Sequence, residues 1–407
     1  MKAILCRVTV PRYLFSQTLG RLSDRFLLGP AGPLALQEMP LPPLLTPRYV
    51  RVRTTLTGIC GSDVGLLRGR ESYSLDPFFT FPSVLGHEAV GVVAETGAEA
   101  SRFRPGDRVA LSPYIGCLDR GTAPPCRVCA EGRSSSCEKQ FEGPLAPGLV
   151  GMNRDLPGTW AEYFAVPETL LEPIPESVPD EEAVLCDPLV CALHGLLRAA
   201  PRPGETVLVI GAGTIGLCLI AGIRAMGFSA RVLVQSRYAF QSELATKLGA
   251  DEILPSGAAG LRRLAEITSA RVLKPRLGPP VLEGGVDLAY DCVGSPASLD
   301  QALRVVRTRG RVMMIGAIGP AGGADLAPLW FREITLLGVY GGGTEEIQGE
   351  RLSTLRLALK LMGQKKLNLR PLLTHQFPLS RFQEALRIAL HHPRHQSVKV
   401  ALKPAQG

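Results

Sequence analysis

The chain has 407 residues, a length that favours two domains over one. Apolar residues make up 45% of it and charged residues 20%, which is typical of a globular protein and argues against disorder. The net charge is +8, but the basic residues are scattered singly along the chain, so we expect no nucleic-acid partner and at most a positive cleft for a phosphorylated ligand.

The first half of the chain predicts a β-rich domain. Short β-branched runs at Tyr49–Thr55, Ala89–Glu95 and Asp107–Leu111 are separated by Pro and Gly. The segment MKAILCRVTV contains a short apolar run broken by Arg7 and no small-residue cleavage site, so it does not predict a secretory signal. We therefore expect a cytoplasmic location.

From about residue 205 strands and helices alternate, which predicts a doubly wound parallel sheet. The uncharged run Thr206–Ile223 just reaches the length of a membrane span, but its glycines favour a strand, a tight turn and a buried helix. The predicted elements are strand 206–210, helix 214–226, strand 231–235, helix 239–248, strand 252–254, helix 258–267, strand 286–291, helix 297–306 and strand 310–315.

Two segments, 8–28 and 268–285, are longer than these elements need and are expected to be insertions. A helix over 380–390 and a strand over 398–402 are expected to return to the first domain. The predicted domains are therefore residues 1–190 with 343–407, and residues 191–342.

A phosphate-binding turn is predicted directly after the strand at 206–210. The sequence Gly211-Ala212-Gly213-Thr214-Ile215-Gly216 has the G-x-G-x-x-G pattern between a strand and an apolar helix. The first glycine permits the tight turn, the second lets the backbone approach a pyrophosphate, and the third allows close helix packing. We expect a dinucleotide on the helix N-terminus.

The next strand indicates which dinucleotide is bound. An acid about twenty residues beyond the glycines would bind the ribose hydroxyls of NAD, but this chain has Ser236 and Arg237 there. A hydroxyl and a guanidinium can donate to a 2′-phosphate instead. We expect a preference for NADP, although Arg237 could simply begin a helix surface.

Three separated residues are candidate ligands of a catalytic zinc ion. Cys60 and His87 lie 27 residues apart in turns at the edges of β segments, and Asp187 precedes a helix. Each alone has an ordinary explanation, as a buried thiol, a core histidine and a helix cap. We expect the three to meet at one metal that faces the nicotinamide and keeps a fourth position open.

Together these motifs resemble the zinc-containing medium-chain dehydrogenases, from about Val50 to Lys403. In that family G-I-C-G-S-D and G-H-E precede a G-x-G-x-x-G in this order, as Cys60 and His87 do here. The resemblance implies a Rossmann domain, a GroES-like catalytic domain, a metal that Glu88 can touch in resting states, and a third ligand at Asp187. The match also includes segments 158–163 and 291–294, and it implies that Cys292 and Val293 lie at the cofactor.

Four further cysteines resemble the second, structural zinc lobe of the family. Cys126, Cys129 and Cys137 have the family spacing, but eight residues separate Cys117 from Cys126 where relatives usually have two. An insertion must loop out if Cys117 is to complete a four-thiolate site, which would be structural because it leaves no open position. Unligated thiols in a flexible lobe are the alternative.

The resemblance implies oxidation of an alcohol to a carbonyl compound, with zinc polarising the substrate oxygen and the nicotinamide taking the hydride. Ser62 matches the hydroxyl that starts the proton relay to solvent. Many relatives place a histidine three residues later, but this chain has Gly65. The outer relay must then use another group, the cofactor ribose or water.

Two other functions remain open from the sequence. One is a polyol, sugar or amino-alcohol dehydrogenase of the sorbitol or threonine type that uses NAD. The other is a zinc- and nucleotide-binding interaction protein without turnover. The expected partners are a small-molecule substrate and further copies of the chain, as a homodimer or homotetramer joined near Ile334–Val339; no membrane partner is expected.

Overall fold

The computed structural model describes residues 1–317 and 319–404, without the side chains of Gln17 and Arg21. These residues form two compact units, one that runs to Asp187 and resumes at Gly341, and one between Pro188 and Tyr340. No helix in the described ranges combines the length and apolarity needed to cross a membrane.

The first unit begins with β-structure interrupted by short helices. Its strands up to residue 187 are β1 Lys2–Cys6, β2 Leu34–Glu38, β3 Tyr49–Gly58, β4 Ser83–Val84, β5 Ala89–Thr96, β6 Arg108–Leu111, β7 Tyr163–Pro167 and β8 Leu171–Pro173. Its helices over the same range are α1 Val10–Thr18, α2 Asp24–Leu28, α3 Gly61–Leu67, α4 Arg127–Ala130, α5 Asp180–Ala183 and the start of α6 Cys186–Arg198.

The second unit alternates strands and helices, as its hydrophobic pattern predicts. Its strands are β9 Thr206–Ile210, β10 Arg231–Gln235, β11 Glu252–Leu254, β12 Arg271–Leu273, β13 Val281–Glu283, β14 Val286–Asp291, β15 Val306–Met314 and β16 Thr335–Gly338. Its helices after α6 are α7 Thr214–Ala225, α8 Ala239–Lys247, α9 Ala258–Ile267, α10 Pro296–Val305 and α11 Ala327–Phe331.

The remainder of the chain returns to the first unit. It contributes the strands β17 Thr344–Ile347, β18 Glu350–Ser353, β19 Leu373–Pro378 and β20 Lys399–Lys403. It also contributes the helices α12 Thr354–Gly363, α13 Phe382–Leu390 and α14 His392–His395.

The sheet of the second unit is parallel throughout, in the order β11-β10-β9-β14-β15-β16. Renumbered within the unit, this is the 3-2-1-4-5-6 order of a doubly wound dinucleotide-binding fold. The buried residues of its strands and of α10 form one apolar core. The C-terminal ends of β9, β10 and β14 therefore meet at one edge, where such folds bind their ligand.

The main sheet of the first unit has the order β19-β20-β3-β5-β6-β8, and β7 also pairs with β3. A separate sheet has the order β2-β1-β4. Buried residues of β1, α2 and α13 pack around Trp160, which has no exposed surface and donates from Nε1 to the carbonyl oxygen of Gly58 at 3.1 Å. This packing fixes the C-terminal end of β3, which leads into Cys60.

The two expected insertions fold into different types of secondary structure. The first folds as α1 and α2, with Leu27 and Leu28 buried in the core beside β1. The second contains the antiparallel pair β12 and β13. The strand predicted at 310–315 was placed too late, because β15 begins at Val306 and continues through an irregular register to Met314.

Candidate functional site

A cluster of metal-binding groups lies in the first unit, where β3 and β4 end. Cys60 is the residue before α3, while His87 and Glu88 lie between β4 and β5. The Cys60 thiol, one ring nitrogen of His87 and one carboxylate oxygen of Glu88 all lie within 4.8 Å of one another. Gly86 has φ +92°, and a Cβ there would lie 2.3 Å from Trp160 Cδ1, so only glycine fits the turn that directs His87.

Asp63 supports both Cys60 and His87. It is fully buried; its Oδ2 accepts the backbone N–H of Cys60 at 2.9 Å, and its Oδ1 lies 3.6 Å from His87 Nδ1. The negative charge beside Nδ1 favours the tautomer with its proton on that nitrogen, which leaves the other nitrogen able to bind a metal. That other nitrogen, Nε2, lies 3.5 Å from Ser62 Oγ, so the Ser62 hydroxyl lies next to the cluster.

Glu88 is paired with a lysine that comes from β20. Lys399 Nζ donates to both carboxylate oxygens of Glu88, at 2.6 and 2.8 Å, and to the carbonyl oxygen of Ile59 at 3.2 Å. The side chains are 4% and 1% exposed, so the ion pair is shielded from water. Glu88 is therefore held by a cation rather than left free as a ligand.

Asp187 lies in the first turn of α6 and is 4% exposed. It is not part of the group within 4.8 Å, which contains Glu88 instead. Burial raises the pKa of Asp187; the charge of His87 opposes this shift and that of Glu88 adds to it. The carboxylate thus interacts electrostatically with the cluster.

The electrostatics of the cluster suit a bound cation. Burial opposes protonation of His87, but the charges of Asp63, Cys60 and Asp187 outweigh it and hold the pKa of the imidazole well above its usual value. His87 Nδ1 and Asp63 Oδ1 are buried without a hydrogen-bond partner among the described residues. A thiolate, an imidazole and carboxylates are the donor set that Zn²⁺ prefers, so the residues present fit zinc.

The four clustered cysteines converge despite their unusual spacing. The sulfur atoms of Cys117, Cys126, Cys129 and Cys137 all lie within 4.8 Å of one another. Backbone N–H groups point at them: that of Cys117 lies 3.4 Å from Cys129 Sγ, and that of Cys126 lies 3.3 Å from Cys117 Sγ. Burial opposes ionisation of Cys126, but the N–H groups of Cys129 and Glu138 that donate to it lower its pKa. Four converging sulfurs and inward N–H donors fit a structural metal site.

The extra residues between Cys117 and Cys126 loop out and are tied to the body of the first unit. Arg120 is 1% exposed and donates to the carbonyl oxygens of residues 145, 146 and 148. Asp119 accepts the backbone N–H of Gly116 at 2.8 Å and a hydrogen bond from Thr169. These contacts explain how Cys117 reaches the other three sulfurs.

In the second unit, the predicted nucleotide turn joins β9 to α7. Gly211 has φ +94°, and a Cβ at Gly216 would lie 2.0 Å from the Gly211 carbonyl oxygen. A Cβ at Gly213 would meet nothing within 4 Å. Thr214 and Ile215 open α7 after the turn. The first and third glycines are thus required by the turn itself, whereas the second leaves open space for a ligand at the helix N-terminus.

The other predicted cofactor residues lie at the same edge of the sheet. Cys292 donates its backbone N–H to Ile210 at 3.0 Å, and Val293, 51% exposed, is the residue that a Cβ at Gly211 would contact. Ser236 and Arg237 follow β10, whose Gln235 carbonyl oxygen accepts the N–H of Gly211 at 3.0 Å. The structure therefore brings the three turns together, as a dinucleotide site requires.

Ser236 and Arg237 differ in what they contact. Ser236 is buried, and its hydroxyl donates to the carbonyl oxygen of Tyr238 at 3.2 Å. Arg237 is exposed, and within residues 1–317 and 319–404 no ion pair or hydrogen bond engages its guanidinium. The guanidinium is free to bind a ligand at this edge.

Sequence reasoning missed Asp63 and Lys399. Asp63 stands in the quoted G-I-C-G-S-D motif, three residues after Cys60, a spacing that a capping carboxylate often has. Lys399 opens β20 directly before the apolar run Val400–Leu402, and a cation beside buried apolar residues signals a buried partner. That the partner is Glu88, far away in the sequence, becomes visible only in the fold.

Comparison with known proteins assigns both units. Residues 46–176 match the alcohol dehydrogenase GroES-like domain family, and residues 214–355 match the zinc-binding dehydrogenase family. A sorbitol dehydrogenase from Arabidopsis thaliana is 32% identical over 344 residues, covering 83% of this chain and 84% of that protein. The chain belongs to the zinc-dependent medium-chain dehydrogenase family. As a member of this alcohol and polyol dehydrogenase family, it is an oxidoreductase that uses zinc and a nicotinamide dinucleotide.

Other relatives agree with this assignment. An L-threonine 3-dehydrogenase from Anaeromyxobacter sp. is 30% identical, covering 83% of this chain and 88% of that protein. Among solved structures, an alcohol dehydrogenase from Thermus sp. ATN1 has a TM-score of 0.71 and 27% identity and covers 99% of both chains. A zinc-binding dehydrogenase from Sinorhizobium meliloti 1021, solved bound to NADP, has a TM-score of 0.70 and 26% identity, covering 93% of this chain and 98% of that one.

Proposed function

We propose that this dehydrogenase transfers a hydride reversibly between a secondary alcohol or a polyol and NADP. The cofactor choice rests on one observation: Arg237 is exposed and unpaired beside the nucleotide turn, and no acid stands at the end of β10. A guanidinium can bind a 2′-phosphate through two parallel hydrogen bonds, whereas a carboxylate would repel it. The relative from Sinorhizobium meliloti that was solved with NADP supports this choice.

The substrate class follows from the relatives and the donor set. Relatives named for sorbitol and L-threonine support an alcohol carbon as the reacting centre. We assign the catalytic zinc to Cys60 and His87, with Asp187 as the third protein ligand and Glu88 held back by Lys399. When bound, zinc acts as a Lewis acid toward the substrate oxygen and the nicotinamide accepts the hydride.

The chain's own residues then orient the site and move the proton. The charge of Asp63 favours the His87 tautomer with its proton on Nδ1, because the carboxylate lies 3.6 Å from that nitrogen. The Ser62 hydroxyl, 3.5 Å from His87 Nε2, is the first acceptor of the substrate's hydroxyl proton. Replacing Cys60 or His87 with alanine should abolish turnover while circular dichroism stays unchanged; an unchanged rate would contradict metal catalysis.

The cofactor proposal is tested by measuring kcat/KM for NADP and NAD with wild-type enzyme and two arginine variants. A charged hydrogen bond contributes about 2 kcal/mol, so Arg237→Gln should reduce kcat/KM for NADP about 30-fold and leave that for NAD nearly unchanged. Arg262→Gln removes the same charge from the exposed face of α9 and serves as the control. The assay panel should contain small secondary alcohols, polyols, L-threonine and the matching carbonyl compounds.

The principal alternative is an NAD-dependent polyol or amino-alcohol dehydrogenase. It is favoured by the sorbitol and threonine dehydrogenases among the relatives. A higher kcat/KM with NAD than with NADP in the wild-type enzyme would reject our cofactor assignment and support this alternative.

We also propose that the enzyme acts in the cytoplasm as a homodimer or homotetramer. β16 forms one edge of the parallel sheet in the second unit and is therefore available for pairing with a second copy. Sedimentation analysis of the wild type and of Leu337→Pro, which blocks pairing along this strand, tests the interface. A monomeric wild type would refute it.

A further inference from the structure

The carboxylate of Glu71 has no partner among the described residues. Glu71 lies in the segment after α3 and is half-buried. No hydrogen bond or ion pair engages it within the described ranges 1–317 and 319–404. Its oxygens are not among the fully buried atoms that lack a partner, so the carboxylate can exchange protons with water.

Glu71 is folded back over the helix that carries Ser62. A Cβ at Gly65 would lie 2.1 Å from Glu71 Oε1, so the carboxylate occupies the space that any larger residue at position 65 would need. Ser62 and Gly65 are three residues apart in α3, and residues at this spacing share one face of a helix about 5–6 Å apart. The carboxylate of Glu71 and the hydroxyl of Ser62 are thus about one helical turn apart on the same face.

Ser62 connects the cluster to the face of α3 that Glu71 covers. Ser62 Oγ lies 3.5 Å from His87 Nε2, next to the groups that hold the metal. Asp63 is close enough to raise the pKa of Glu71 through its charge, in addition to the larger effect of burial. Asp63, which lies on α3 itself, is the charged group whose field raises the pKa of Glu71.

We propose that Glu71 receives the substrate proton from Ser62 through one water molecule and releases it to solvent. The inference rests on the proposed function. In alcohol oxidation, the substrate O–H bond breaks, its proton passes to Glu71, and the hydride leaves for the nicotinamide. The neutral carboxylic acid then loses its proton to bulk water, so each turnover releases one proton and restores the carboxylate. In carbonyl reduction the same steps run in reverse.

The raised pKa suits this task. A carboxylate that binds protons more tightly than usual accepts one more readily near neutral pH and still returns it to water. Since the acceptor must be ionised, oxidation through Glu71 is active above its pKa and lost as the pH falls through it.

The experiment compares the pH dependence of kcat for oxidation in wild type, Glu71→Gln, Glu71→Asp and Asp76→Asn. General acid–base groups contribute about 100-fold or more, but water bypasses a relay in part, so we expect Glu71→Gln to lower kcat about 10-fold with little change in KM. Added imidazole should restore the rate of Glu71→Gln by carrying the proton, and Glu71→Asp should keep part of the activity. Asp76→Asn removes an exposed carboxylate from the same segment and should behave like wild type.

A purely structural role for Glu71 makes a different prediction. Glu71→Gln would then lose activity together with zinc content or thermal stability, and imidazole would not restore it. That result, or a wild-type pH profile in Glu71→Gln, overturns the relay alone. A wild-type enzyme that oxidises no alcohol in the panel overturns the proposed function and the relay together.

Discussion

Removing the cation from the buried pair Lys399–Glu88 should destabilise the first unit strongly. In Lys399→Met, Glu88 keeps its place at 1% exposure but loses both of its charged hydrogen bonds. Breaking a buried ion pair from one side costs about 3–5 kcal/mol, because the remaining charge is left uncompensated. With a urea m-value of about 2 kcal/mol/M, a loss of 3 kcal/mol would lower the unfolding midpoint by about 1.5 M.

Removing both charges should recover most of that loss. The double variant Lys399→Met/Glu88→Gln leaves no orphan carboxylate, so we expect it within about 2 kcal/mol of wild type and a coupling energy of about 2–4 kcal/mol in the double-mutant cycle. Lys403→Met is the matched control, because Lys403 lies on the same strand but is partly exposed. It should stay within about 0.5 kcal/mol of wild type.

The two tryptophans allow the first unit to be followed separately. Trp160 lies in the first unit and is fully buried, while Trp330 lies in the second unit and is 73% exposed. The blue-shifted emission of Trp160 should therefore report unfolding of the first unit in urea at fixed zinc concentration. A cost below about 1 kcal/mol for Lys399→Met, or additive single effects in the cycle, would show that the pair contributes no such coupling.

Three further predictions address the other sites. Gly213→Ala, whose Cβ meets nothing within 4 Å, should weaken NADP binding, measured by calorimetry, about 10-fold or more and keep the melting temperature within about 2 °C. Gly216→Ala should lower the melting temperature, because its Cβ would lie 2.0 Å from a carbonyl oxygen. Equal melting temperatures of the two variants would contradict these roles of the glycines in the turn. Cys126→Ser should lower the zinc content of the purified protein by about one ion per chain. Cys6→Ala, which removes a buried cysteine outside this cluster, should leave the zinc content unchanged. An unchanged zinc content in Cys126→Ser would refute the four-sulfur site. Glu172→Gln should lower the free energy of unfolding in urea by about 1.5–3 kcal/mol, because Glu172 accepts hydrogen bonds from Arg102, Arg356 and Ser353. Glu346→Gln, at an exposed position, should change this free energy very little. Similar losses in the two variants would argue against a stabilising role of the Glu172 hydrogen bonds.

Local sequence patterns predict most strands and helices of the second unit. The alternation of apolar strands and helices predicts β9, α7 and β10 nearly to the residue, because each element carries its own periodicity and its own turn signals. The start of β15 was missed because Val306 belongs to the strand through its pairing with Val286, which no local pattern records. The helices of the first insertion were missed for a similar reason, since they are stabilised by packing against β1.

The sequence predicts the metal-binding residues of the candidate site better than it predicts which residues interact with them. Cys60, His87 and the four clustered cysteines stand in motifs whose spacing is informative. The charge interaction of Asp187 with His87 and the pairing of Glu88 with Lys399 depend on contacts between residues far apart in the chain. Such contacts are set by the way the strands of the first unit pair in its main sheet, so they could not be inferred from one sequence.

The position of β20 has a consequence for the order in which the protein is made. This strand inserts between β19 and β3, and its Ala401 pairs with Gly58 just before Cys60. The ribosome delivers residues 188–340 before β20 exists, so the nucleotide-binding unit can complete its fold while β3 still lacks a neighbour. Until Lys399 emerges, Glu88 lacks the counter-charge that this lysine supplies, and the nascent chain carries its metal-binding side chains on an incomplete sheet.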